Sequence, residues 1–543
     1  MPDSSRGRRA GVLLPLFSAR SSRSWGIGEI GDVGVFASWL RDAGLRTWLM
    51  LPINEMSAGQ HSPYSAMTAM AIDPIYISVP DVDDYAALGG DRVLDATLRD
   101  EIEAVRSAPR IEWDRVRALK MHALRLSFTR FDRDEWSAQT PRAQAFQTWV
   151  VSQAWWVEDY ALFRALHTYH GERPWWEWEE GNRTHRPDAI VQARQALVRE
   201  VRFAQYLQWV ADEQWRVARR EAGDVMLLGD LPFMVSADSA DVWARQHAFD
   251  LTASIGVPPD AFSASGQDWG LPVYRWDVIA DEDYEWIHQR ARRYADLYGG
   301  FRVDHLVGFY RTYAIPLDGS PRYFVPDTLR AQLQQGETIM GMFGSVGARV
   351  FAEDLGTVPD EVRESLARLK LPGYRVLRWE REWHKPGMPF RDPLAFPPIS
   401  VATTGTHDTD TLAAWWDTAD DVERAAVLAM PWFVSLRSAR AVSAAQPGSS
   451  PILVDEGFAV GSPFSDEMRD AFLELLFASG SEDVVVPLQD VFGWRDRVNV
   501  PATVDDRNWT WTLPWPIDAM ASHPECLERT RAIASWCARY RRR

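Results

Sequence analysis

Cysteine is almost missing from this chain. Its two copies, Cys526 and Cys537, lie near the C-terminus at a spacing that suits no metal site. So few thiols in 543 residues give no disulfide framework and fit a reducing cytoplasm. Excess positive charge is missing as well. A net charge of −17 argues against a nucleic-acid binder, which needs a basic face, and against docking on an anionic membrane. No apolar run reaches the length that spans a bilayer. The run 11–17 follows Arg6, Arg8 and Arg9 and imitates a secretory leader, but it is seven residues long and contains Pro15, so it reads as a first strand. There is no low-complexity tract, no glycine-rich phosphate loop after that strand and no calcium-loop spacing. What these absences leave is a soluble globular protein with a neutral partner, no cofactor and no metal.

What the chain does have is eight short apolar runs of strand length: 11–16, 47–52, 225–228, 301–303, 350–352, 374–379, 400–404 and 484–486. Helical periodicity separates many of them, as at 36–43 (closed by Gly44), 360–369 and 466–478. Eight strand–helix repeats with polar residues at the strand tips predict an α/β fold, a (β/α)8 TIM barrel. Residues 11–56 and 224–543 supply the barrel. Residues 57–223, with helical stretches at 116–131, 143–169 and 199–221, read as a mainly helical insertion after the second strand, and further insertions fall in the βα loops. The whole is expected to be a single catalytic unit with no separate N-terminal domain. Tryptophan is abundant, at 27 residues; most are expected in the core, and position decides whether a minority are flat apolar platforms for a ligand.

Three carboxylates close candidate strands: Asp304 in Arg302-Val303-Asp304-His305, Glu353 in Ala352-Glu353-Asp354, and Asp408 in Thr406-His407-Asp408. Each motif alone serves structure as readily, as a buried ion pair, a helix-start acidic pair or a loop hydrogen-bond pair. Together on one barrel face they suit retaining glycosyl transfer. One ionised carboxylate attacks the anomeric carbon, a protonated one assists the leaving oxygen, and a third holds the sugar as it distorts. Arg302 beside Asp304 favours the ionised form of the attacking group.

Further motifs run in order along the chain: Trp25-Gly26-Ile27-Gly28, Ser62-Pro63-Tyr64, Gly229-Asp230-Leu231-Pro232, Asp238 to Trp243, Pro258-Pro259-Asp260, Gly266 to Gly270, Pro487-Leu488-Gln489-Asp490 and Asn499-Val500-Pro501. With them the chain resembles the amylomaltase family of 4-α-glucanotransferases, the disproportionating enzymes of the α-amylase clan, over nearly its whole length. The resemblance implies Asp304 as nucleophile, Glu353 as general acid/base and Asp408 as transition-state stabiliser. It also implies that Arg302 and His407 support the sugar in the cleavage subsite, with Tyr64 stacking beneath it and Ser62 nearby. The loop 258–272 resembles the family's mobile active-site loop, with Phe262 as cover and Gln267 and Trp269 as contacts. Asp230, Asp241 and Asn499 match the motifs, where a structural role at a strand tip fits as well as a binding one. Implied partners are maltodextrin (α-1,4-glucan) donors and glucose or maltodextrin acceptors, for a cytoplasmic monomer or weak homodimer without nucleic-acid or membrane contacts. An α-1,4-glucan hydrolase would use the same three carboxylates and is the alternative; a binding scaffold on a retired barrel fits the intact triad poorly.

Overall fold

The computed structural model describes residues 7–57, 59–259, 266–444, 458–501, 503 and 505–543, with backbone alone at 439–444. In chain order the strands are β1 (Arg9–Leu13), β2 (Thr47–Leu49), β3 (Met226–Leu231), β4 (Phe249–Val257), β5 (Gln267–Tyr274), β6 (Gly300–Val303), β7 (Thr312–Pro316), β8 (Tyr323–Val325), β9 (Arg349–Ala352), β10 (Gly373–Val376), β11 (Ser400–Thr403) and β12 (Asp483–Pro487). Eight of them close a parallel barrel in the order β1-β12-β11-β10-β9-β6-β3-β2. Each coincides with one of the eight apolar runs read from the sequence.

The barrel interior explains where the chemistry sits. Leu13, Leu49, Leu228, Phe351, Tyr374, Val401 and Val485 form a small apolar plug inside the barrel, one from each strand except β6. At the level of Leu228, β6 offers only Gly300, whose missing side chain lets the Arg349 carbonyl of β9 come close. One step further up, Arg302 stands in register between Asp230 and Phe351. The interior thus changes from hydrocarbon to a buried ion pair one layer below the mouth, as layered packing of barrel interiors allows. The main core lies outside, between the strands and the helices, and continues without a break into the helical segment between β2 and β3.

That segment carries helices Trp113–Phe131, Pro141–Ser152, Ala154–Tyr169 and Val198–Ala222. The stretch 143–169, uniform in its periodicity, is two helices meeting at Gln153, which leaves helical geometry and accepts a hydrogen bond from the Trp156 indole, 2.9 Å. A second departure follows β3, where β4, β5, β7 and β8 form an antiparallel sheet in the order β5-β4-β7-β8. It stands on the loops that leave β3 and β6. The second half of the loop expected over 258–272 is therefore strand β5, paired to β4 with register shifts that absorb Gly270 at φ +66°. Phe262 lies outside the described residues.

Candidate active site

Asp304 and Glu353 each follow a barrel strand directly, and the ladder holds their backbones beyond the strand ends. Asp304 N–H donates to the Leu231 carbonyl (3.0 Å) and Glu353 N–H to that of Val303 (3.1 Å). Asp408 stands five residues past β11 in a tighter loop. Its carboxylate accepts from Asn499 Nδ2 at 2.6 Å and faces His407 Nε2 at 3.2 Å, while Arg497 donates to its carbonyl at 2.7 Å.

Arg302 ties the floor of the site together. Its Nη1 lies 2.7 Å from both carboxylate oxygens of Asp230, and its Nη2 lies 2.8 Å from Asp304 Oδ1 and 4.0 Å from Glu353 Oε2. Burial works against the guanidinium charge, but Asp230 and Asp304 outweigh it and hold Arg302 protonated. Tyr64 completes the floor, donating its hydroxyl to Asp230 Oδ2 at 2.7 Å. Its ring stacks on His407 (centroids 5.3 Å apart, planes 20° apart) and meets Trp509 at 5.9 Å. Asp230 is thus a buried brace under Tyr64 and Arg302, fully hidden from solvent.

The carboxylates differ in their electrostatic setting. Burial raises Glu353 to about 8, against the pull of Arg302 and with help from the charge of Asp304. Its Oε2 accepts the His305 backbone N–H at 2.9 Å, and His305 holds a left-handed φ of +42°, a region histidine adopts more readily than most non-glycine residues. For Asp408 burial pushes the same way, but His407 and Asn499 override it and leave the group at about 2. A protonated acid and an ionised one therefore face the same space at neutral pH. Burial holds His305 neutral, at about 4, edge-on to Trp269 at 4.7 Å.

A cleft of about 510 Å³ opens above this floor, and Ser62, Tyr64, Gln267, Trp269, Arg302, Asp304, Glu353, His407, Asp408 and Asn499 all line it. Ser62 Oγ accepts the Tyr64 N–H in a turn (3.4 Å), and Gln267 Oε1 accepts the Trp269 indole N–H at 3.1 Å. Asp241 is elsewhere: it accepts the Ala69 N–H and the Trp286 indole, pinning the chain behind Tyr64. Sequence reasoning missed Trp509, Arg497 and the backbone of His305, together with the cleft residues Arg311, Tyr313, Phe324 and Trp379. Arg497 stands two residues before Asn499, whose motif was the available signal; the others carry none. Among the described residues no cluster of three potential metal ligands occurs, and no helix is long and apolar enough to cross a membrane.

A family model described as 4-alpha-glucanotransferase matches residues 14–518. The 4-alpha-glucanotransferase of Thermus thermophilus is 32% identical over 527 residues, covering 94% of this chain and 95% of that one. That of Chlamydia pneumoniae is 29% identical over 526 residues, covering 94% and 93%. Among solved structures, amylomaltase from Corynebacterium glutamicum is similar with a TM-score of 0.74 at 25% identity, covering 97% of this chain and 75% of that one. Amylomaltase from Streptococcus agalactiae in complex with acarbose gives 0.78 at 22% identity, covering 98% and 99%, a likeness of fold.

Proposed function

Since the chain belongs to the 4-alpha-glucanotransferase family, we propose that it moves α-1,4-glucan segments between maltodextrins, or onto glucose, by retaining double displacement. The observation that carries this is the pairing of Asp304 and Glu353 on one guanidinium nitrogen, at 2.8 and 4.0 Å. Two oxygens so placed are no farther apart than those distances laid end to end, a span that accommodates the ~5–5.5 Å of a retaining pair.

In the first step an oxygen of Asp304 bonds to the anomeric carbon as the glycosidic bond breaks. Glu353 gives its proton to the departing oxygen, so the leaving chain carries a free 4-hydroxyl. In the second step the 4-hydroxyl of an acceptor passes its proton to the Glu353 carboxylate and attacks the same carbon, releasing Asp304. Asp408 stays ionised throughout and steadies the oxocarbenium-like ring. Tyr64 and His407 supply the surface on which that ring lies. Arg302 keeps a permanent counter-charge beside the Asp304 carboxylate.

Maltotriose incubated alone should yield glucose and a ladder of longer maltodextrins. Products limited to glucose and maltose would favour the hydrolase instead. Asp304→Asn should lower turnover by about 10⁴-fold while circular dichroism stays native. Wild-type turnover in that variant would remove Asp304 as the nucleophile. Low thiol content supports a cytoplasmic setting.

A further inference from the structure

The antiparallel sheet presents an aromatic shelf to the cleft that the three carboxylates do not use. Tyr313 of β7 and Phe324 of β8 are direct cross-strand partners, so their side chains share a face, with ring centroids 5.0 Å apart. Across β7 the partner of Tyr313 on β4 is Gly256, which adds no side chain to that face. The Arg311 guanidinium lies over one face of the Phe324 ring, 4.5 Å from its centroid. Arg311 is half-buried, and burial lowers its affinity for its proton. Yet among the described residues neither its guanidinium nor the Tyr313 hydroxyl has a hydrogen-bond partner, and no carboxylate lies within ion-pair distance of Arg311. Unused donors beside half-exposed rings are what a polyhydroxy ligand needs: a ring face for its C–H groups and hydrogen bonds for its rim.

Position decides which sugar. The ring bound to Asp304 is enclosed by the wall of Tyr64, His407 and Asp408. The proton of Glu353 goes to the oxygen linking that ring to the next unit, so the next unit lies against the loop that follows Glu353. Leu355, Gly356 and Thr357 of that loop line the same cleft as Arg311, Tyr313 and Phe324, and the charge of Glu361 just beyond it reaches Arg311.

We propose that Arg311, Tyr313 and Phe324 form the acceptor-side platform, holding the second and later glucose units of an acceptor and so setting acceptor length preference. This rests on the transferase reading above. The test uses α-maltotriosyl fluoride as donor, whose leaving group fills no acceptor-side position, with glucose, maltose or maltotriose as acceptor. Tyr313→Ala and Arg311→Gln should each raise KM for maltotriose about tenfold relative to KM for glucose, and Tyr313→Phe, which keeps the ring and loses only the hydroxyl donor, should raise the ratio by less than Tyr313→Ala. A KM ratio unchanged by both variants overturns the platform, as does an equal rise for all three acceptors. Wild-type enzyme that transfers to none of them overturns the transferase reading and the platform together, so the two failures are told apart by the wild-type control.

Discussion

At the scale of single residues, the site works by giving chemically similar groups dissimilar surroundings. Glu353 is protonated because it is dry, and Asp408 is ionised because His407 and Asn499 address both of its oxygens. The sign of the pH response follows. In the mechanism proposed above Glu353 carries its proton to assist the leaving oxygen, so kcat/KM should fall tenfold per pH unit above about 8, the value to which burial raises it. Asp408, at about 2, should impose no acidic limb in the working range. A pH profile of maltotriose disproportionation checks this, and a rate flat through the alkaline range would remove Glu353 as the acid. Asp304 and Glu353 were legible because each directly follows an apolar run; Asp408, expected to close a strand, stands five residues beyond β11 and was legible through Thr406-His407-Asp408. The brace beneath them was less so: Asp230 could be placed at a strand tip, but only coordinates reveal that it serves Tyr64 and Arg302 at once. Trp509 was invisible because its role depends on a left-handed φ of +64°, which no local pattern announces.

At the scale of elements, the residues that reach the cleft are held by parts of the chain that never touch it. The loop carrying Ser62 and Tyr64 is drawn tight at its base by bridges between Asn54 and Ile72 and between Met56 and Ala66. Asp73, fully buried, closes it: both carboxylate oxygens accept from Arg117 of the helix Trp113–Phe131, at 2.9 and 2.8 Å, and also from the Ile75 and Met56 N–H groups. Asp73→Ala would strand the Arg117 charge, so urea unfolding should show a loss of about 3–5 kcal/mol. Adding Arg117→Met should recover part of it, whereas a loss below about 1 kcal/mol would mean the pair is as weak as an exposed one. The eight barrel strands were readable from sequence because each is a short apolar run buried on both faces. The antiparallel sheet was not. β4 lacks clean alternation, and β5 contains Gly270 and Pro272, which signal a turn unless a bulge is there to absorb them.

At the scale of the whole molecule, the barrel is chemically two-faced. The mouth gathers the carboxylates, while the opposite end is sealed by Arg542, which is 2% exposed. Its guanidinium donates to the carbonyls of Phe477 (2.7 Å), Arg9 (3.2 Å), Glu482 (3.1 Å), Ser479 (3.2 Å) and Ser481 (3.1 Å), and burial lowers it to about 9. Arg542→Ala leaves several of those carbonyls without a donor and should cost about 2–4 kcal/mol of stability. Thermal scanning should register the loss while kcat at 25 °C holds, because this end serves stability alone. A drop in kcat without a change in Tm would place Arg542 in the working half of the molecule.

Closure of the barrel falls to β12, which must slot between β1 and β11. A ribosome that has delivered Asp304, Glu353 and Asp408 has therefore made an open palisade, with hydrogen-bonding edges bare on either side of the gap. Asn499 and Trp509 have not yet emerged at that moment, so the nascent protein needs shelter from edge-to-edge association before it can handle a single sugar.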